Sequence, residues 1–177
     1  MPQGAVAPEQ AGGVDHLVRD PDRLEGALDL VNGALGTPFS VASRIEDGRF
    51  QIVGLADDLN TGFEVGAEFD SADSFCVRIA NTGVAECVPV VANDDQLSTT
   101  YPHVTLGLET YLGIPIVVDG SFYGTLAVCD IKPREFSERE QARANAGAEL
   151  AASALRLPGD GASENGGFEN ENDAQTE

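Results

Sequence analysis

The stretch Tyr111-Leu112-Gly113-Ile114-Pro115-Ile116-Val117-Val118-Asp119-Gly120, continued by Phe122-Tyr123-Gly124-Thr125-Leu126-Ala127-Val128-Cys129, decides the fold. Two apolar, β-branched segments flank Asp119-Gly120, a dipeptide that supplies the positive φ values of a tight antiparallel hairpin. Downstream, Phe136-Ser137-Glu138-Arg139-Glu140 sets Ser137 and Glu140 at capping-box spacing ahead of an alanine-rich helix over 137–157. Upstream, a second Asp-Gly turn, Glu46-Asp47-Gly48-Arg49, joins expected strands at 39–45 and 50–55.

Working further outward, Asp20-Pro21 pairs an N-cap with a proline at the first helical position. Leu24, Leu28, Val31 and Leu35 then form one apolar stripe, ended by Gly36-Thr37-Pro38. Residues 56–66 are a polar connection. Asp73 is placed to cap a short helix running to Asn81, with Phe75, Cys76 and Ile79 on one face and Gly83 closing it. Residues 86–91 read as a short strand in which Pro89 implies an edge or an end. A loop over 93–108 carries a brief helix around Pro102. The implied fold is α/β (α+β): a central antiparallel sheet of about five to six strands, with terminal helices on one face and short helices and loops on the other. The chain divides into a flexible arm (1–19), one domain (20–157) and an acidic tail (158–177) with almost nothing apolar to bury.

Charge narrows the function. The 177 residues hold 30 Asp and Glu against 10 Lys and Arg, a formal net charge of −20. The tail carries six acids and no base, so the body alone stands at −14. Lys132 is the only lysine. Molar salt shrinks the Debye length to about 3 Å and screens such self-repulsion, so the composition fits the high-salt cytosol of a halophile. With no basic patch, nucleic-acid binding is not expected, because duplex affinity rests on cations that neutralise phosphates. No apolar stretch approaches the roughly 20 residues that span a bilayer, and residues 1–14 have no signal-peptide pattern. Cytoplasmic localisation is the expectation. Cys76, Cys87 and Cys129 are an odd set without metal-type spacing and read as free thiols.

Hairpin, loop and capped helix together resemble the second half of a GAF domain, a small sensory module. Ser74-Phe75-Cys76-Val77-Arg78-Ile79-Ala80-Asn81-Thr82-Gly83 resembles the first pocket helix of GAF domains in sensor kinases, and Val90-Val91-Ala92-Asn93-Asp94 the strand-to-loop step after it. The resemblance spans about residues 20–157. It implies a ligand between the sheet and the short helices, and it nominates Phe75, Cys76, Asn93, Tyr101, His103, Tyr111 and Cys129 as ligand-binding residues. Each also has a plainer role, as core aromatic, turn closer, solvated histidine or small buried hydrophobe.

One GAF subfamily reduces free methionine sulfoxide with thiols, its catalytic cysteine lying in the loop before the strong hairpin. Here the loop 95–109 has no cysteine. The Asn-Lys and Asp-Glu arrangement of cyclic-nucleotide GAF domains is missing, and the signature of tetrapyrrole attachment does not surround Cys76 and His103. No cofactor or metal follows from the residues. The expectation is a stand-alone, non-catalytic module that binds a small molecule and signals in trans to a partner such as a histidine kinase or transcription regulator. The alternatives are a ligand-free dimerisation scaffold and a thiol-dependent methionine sulfoxide reductase. A homodimer is expected through the terminal helices, where Leu150, Ala154 and Leu157 form a stripe at four- and three-residue steps.

Overall fold

The computed structural model describes residues 13–157; the expected tail and most of the expected arm lie outside that range. Helix α1 (Pro21–Leu35) begins where Asp20 accepts a hydrogen bond from Arg23 N, and ends where Gly36 takes a left-handed conformation at φ 68°. Strands β1 (Phe39–Glu46) and β2 (Arg49–Asp57) follow as a hairpin. A short strand β3 (Glu68–Asp70), a helix α2 (Val77–Thr82) and an edge strand β4 (Glu86–Val88) come next. After a one-turn helix α3 (Tyr101–Val104), strands β5 (Thr110–Val118) and β6 (Ser121–Asp130) form the long hairpin. Helix α4 (Glu138–Ala152) closes the domain with both bonds of the Ser137/Glu140 capping box in place.

The six strands form one sheet in the order β3-β2-β1-β6-β5-β4, and every pair is antiparallel. Both hairpin turns use an aspartate at positive φ, Asp47 at 54° and Asp119 at 51°, each followed by glycine. The central strand β6 is buried on both faces from Tyr123 to Asp130, so its side chains feed two separate cores. On one face, Leu28, Val31 and Leu35 of α1 and Ala144, Ala148 and Ala151 of α4 cover Leu112, Leu126 and Val128. On the other, Phe39, Phe50, Ile52, Tyr111, Ala127 and Cys129 meet Phe75, Cys76, Ile79, Leu97 and Leu108 from the short segments. Period-two alternation along each strand produces this division.

The structure departs from the sequence reading in three elements. Strand β3 was not expected; it is three residues long and is held by its register with β2. Asp73 does not cap α2, which starts at Val77 with no side-chain cap, because its carboxylate instead accepts a hydrogen bond from Tyr101 N at 3.0 Å. Helix α4 stops at Ala152, not 157, because the Ala154 carbonyl turns to accept Arg19 N and Asp20 N at 2.7 and 3.1 Å. Ala154 is consequently buried, and the expected Leu150-Ala154-Leu157 stripe is broken. Residues before 20 also pack onto the domain. Leu17 and Val18 are buried, and Val18 forms a β-bridge with Leu155.

Candidate functional site

The sheet face away from α1 and α4 carries a partly open cavity of about 40 Å³. Its floor is the sheet itself: Phe39 and Val41 from β1, Phe50 and Ile52 from β2, Ala127 and Cys129 from β6. Each pair sits two residues apart, so both members point to the same side. Ser74, Phe75 and Cys76 wall the cavity, Phe69 closes one flank, and Pro102, Leu106 and Leu108 roof it. Half-buried Phe63 stands at the rim. It belongs to an aromatic row in which Phe50 and Phe69, Phe69 and Phe63, and Phe63 and Tyr101 have ring centroids 4.8, 5.8 and 6.1 Å apart. A broader depression of about 430 Å³ lies between α4 and β5, partly lined by Asn145 and Glu149, whereas the lining of the smaller cavity is almost wholly apolar. The interior cavity is the candidate site.

A buried polar chain meets the cavity lining at Cys76. Thr125 Oγ1 and Tyr111 Oη donate to Cys76 Sγ at 3.0 and 3.4 Å, and Ser43 Oγ lies 2.9 Å from Thr125 Oγ1. Such donors favour a thiolate, but burial opposes it more strongly. The Cys76 thiol is pushed up to about 11 by desolvation, with the Thr125 and Tyr111 hydrogen bonds only partly offsetting it. Burial also drives Cys129 well above an ordinary thiol, and raises half-buried Cys87. A nucleophilic cysteine needs a depressed pKa and access; all three thiols are shifted upward, and Cys76 and Cys129 are also buried.

Two polar ties hold the segments over the site. The Arg78 guanidinium of α2 reaches Glu86 of β4 and Asp94 of the following loop, both at 2.8 Å from Nη2. Those bonds raise the Arg78 pKa further and hold Asp94 below its ordinary range. Asp94 in turn accepts from Leu97 N at 2.9 Å, starting the turn that buries Leu97. Asp73 secures the start of α3 through Tyr101 N, at the cost of a carboxyl whose pKa burial raises.

Of the residues nominated from sequence, Phe75, Cys76 and Cys129 line the cavity. Tyr111 stands behind them, packed on Phe75 at 5.2 Å between ring centroids and bonded to Cys76. Tyr101 meets the rim through Phe63. Asn93 is exposed, and His103 turns its Nδ1 to the Leu108 carbonyl at 3.0 Å; neither lines the cavity. The phenylalanines of β1, β2 and β3 went unnominated, although their alternation with residues of the helix-covered face was the available signal. Among the described residues, no group of three His, Cys, Asp or Glu side chains is placed to hold a metal ion, and no helix is long and apolar enough to cross a membrane.

The sequence matches the family described as GAF domain over residues 21–155. No curated protein matches it. Among solved structures, the chain is similar to the GAF domain of a phosphoenolpyruvate-protein phosphotransferase from Acinetobacter, with 13% identity, TM-score 0.61 and coverage of 74% of this chain and 78% of that one. It is similar to the type II free methionine-R-sulfoxide reductase of Thermoplasma acidophilum, with 13% identity, TM-score 0.62 and coverage of 76% and 90%. It is also similar to the chromophore-binding domain of a bacteriophytochrome from R. palustris, with 17% identity, TM-score 0.59 and coverage of 75% and 53%. At these identities the likeness is one of fold.

Proposed function

The chain belongs to the GAF domain family, and from that premise we propose that it is a non-catalytic, cytoplasmic sensory module of a halophile. It binds a small molecule in the cavity between the sheet and the short helices and signals in trans to a protein partner, a histidine kinase or transcription regulator. The observation that carries this reading is the apolar cavity itself, set on the face that α1 and α4 leave free and bordered by segments tied through Arg78 and Asp73. Occupancy has a direct route to the surface, since Pro102 and Leu106 touch the cavity while Val104 between them is exposed.

The protonated, buried thiols support a non-catalytic role over a reductase. The test is a turnover assay with free methionine sulfoxide and a thiol reductant, beside equilibrium dialysis of a metabolite panel in molar KCl. Saturable binding without turnover is the expected result. Turnover lost in a Cys76→Ser variant would establish the enzyme instead. The small cavity favours a second reading, in which the fold is a ligand-free scaffold; a panel that never shifts the melting midpoint would select it. Both readings include a homodimer through the exposed faces of α1 and α4.

A further inference from the structure

We infer that the ligand of this cavity is an uncharged, apolar molecule of a few heavy atoms, admitted past Phe63. The inference rests on the sensory reading above and assigns the chemical class of its ligand.

Recognition of a charged or hydrogen-bonding molecule needs polar groups that are free to meet it. Among the described residues, none of the side chains lining the cavity is charged, and five of them are phenylalanines. Its one side-chain oxygen and one of its two thiol sulfurs are already committed inward. Ser74 Oγ donates to the Ser71 carbonyl at 2.7 Å and accepts Cys76 N at 3.1 Å. Cys76 Sγ accepts from Thr125 and Tyr111. Among the described residues, the buried side-chain nitrogens and oxygens without a partner are Arg44 Nε and Arg156 Nε, and neither residue lines the cavity. Arg78, the cation on the pocket helix, is spent on Glu86 and Asp94. A carboxylate or phosphate entering here would lose its hydration and gain no donor.

Size sets the second limit. A cavity of about 40 Å³ exceeds the roughly 10–15 Å³ that a water requires, yet an apolar wall gives water no partners. It is far below the ~300 Å³ at which drug-sized pockets begin, and below the ~150 Å³ of an engineered apolar cavity that takes up benzene. A guest of a few heavy atoms fits as the cavity stands. The sulfurs of Cys76 and Cys129 offer soft, polarizable contact to such a guest. A larger one needs a half-buried lining side chain to move, and of Phe63, Pro102 and Leu106 that role falls to Phe63, held between Phe69 and Tyr101 by ring contacts.

Xenon, benzene and benzoate serve as probes of the full chain in molar KCl, read by xenon NMR and thermal melts. The wild type should give a saturable xenon shift, and Ala127→Leu, which fills the floor, should abolish it. Cys129→Ala enlarges the same floor and should strengthen the shift, which keeps the test open if Ala127→Leu does not fold. Benzene should raise the melting midpoint of Phe63→Ala more than that of wild type, and benzoate should raise neither. Stabilisation by benzoate equal to that by benzene, or a xenon shift that persists in folded Ala127→Leu, overturns the inference. Native mass spectrometry separates the two levels of failure. A retained polar metabolite displaced by Ala127→Leu would refute the apolar class and leave the sensory pocket standing. No retained molecule and no response to xenon or benzene would refute both.

Discussion

Cys76 is 1% exposed, and a thiol with a pKa of about 11 is ionised in roughly one molecule in ten thousand at neutral pH. Alkylation of the native protein should therefore modify half-buried Cys87 first, with Cys76 and Cys129 reacting only as the chain unfolds. Time-resolved iodoacetamide labelling read by peptide mass spectrometry checks the order; Cys76 labelling ahead of Cys87 would contradict it. The resemblance pointed to Phe75, Cys76 and Cys129 because they lie on segments with a recognisable local pattern. It could not separate cavity from surface at Asn93 and His103, whose placement depends on how the loop 91–108 folds back on the sheet. Phe39, Phe50 and Phe69 were passed over for another reason. An aromatic in a strand reads as core, and only the register of β1, β2 and β3 brings the three around one void.

Among the elements, α2 depends on charge more than on length. It has six residues, no side-chain N-cap and a single fully buried side chain, Ile79. Its hold on β4 and the loop is Arg78. Because the folded protein holds Asp94 below its ordinary value of 3.8, first through the Arg78 hydrogen bonds, the fold binds this proton less readily than the unfolded chain does. The stabilisation is complete above that value and drains away as pH falls through the folded one. Arg78→Gln should destabilise at pH 7 by about 1–3 kcal/mol, and the difference from wild type should shrink toward pH 3. Urea midpoints across that range provide the measurement. Helices α1 and α4 depend on close approach instead. A methyl group at Gly147 would collide with Val31 Cγ2, so Gly147→Ala should lose about 1–3 kcal/mol despite alanine's better helix propensity; an unchanged melting midpoint would refute this. The capped helices and Asp-Gly hairpins were legible from sequence because local chemistry alone specifies them. Strand β3 and the end of α4 were not, since each is set by a distant partner, β2 for the one and residues 19–20 for the other.

At the scale of the whole molecule, charge should govern stability. Acidic groups on the body repel one another in dilute buffer, so the melting midpoint should rise steadily from dilute buffer to molar KCl, and a flat profile would remove the halophilic reading. Exposed Leu30 and Leu150 on the terminal helices are the places to test self-association. Light scattering in molar KCl should give the mass of a dimer, and Leu150→Glu should return a monomer. The β-bridge between Val18 and Leu155, together with the bond from Arg156 N to the Leu17 carbonyl at 3.0 Å, brings residues 17–18 and 155–156 side by side. Ends that meet in this way suit a cassette: the domain is expected to tolerate insertion into the loop of a host protein without stretching the host. A pull applied at residues 17–18 and 155–156 loads that lacing directly, and it is expected to part before the sheet does.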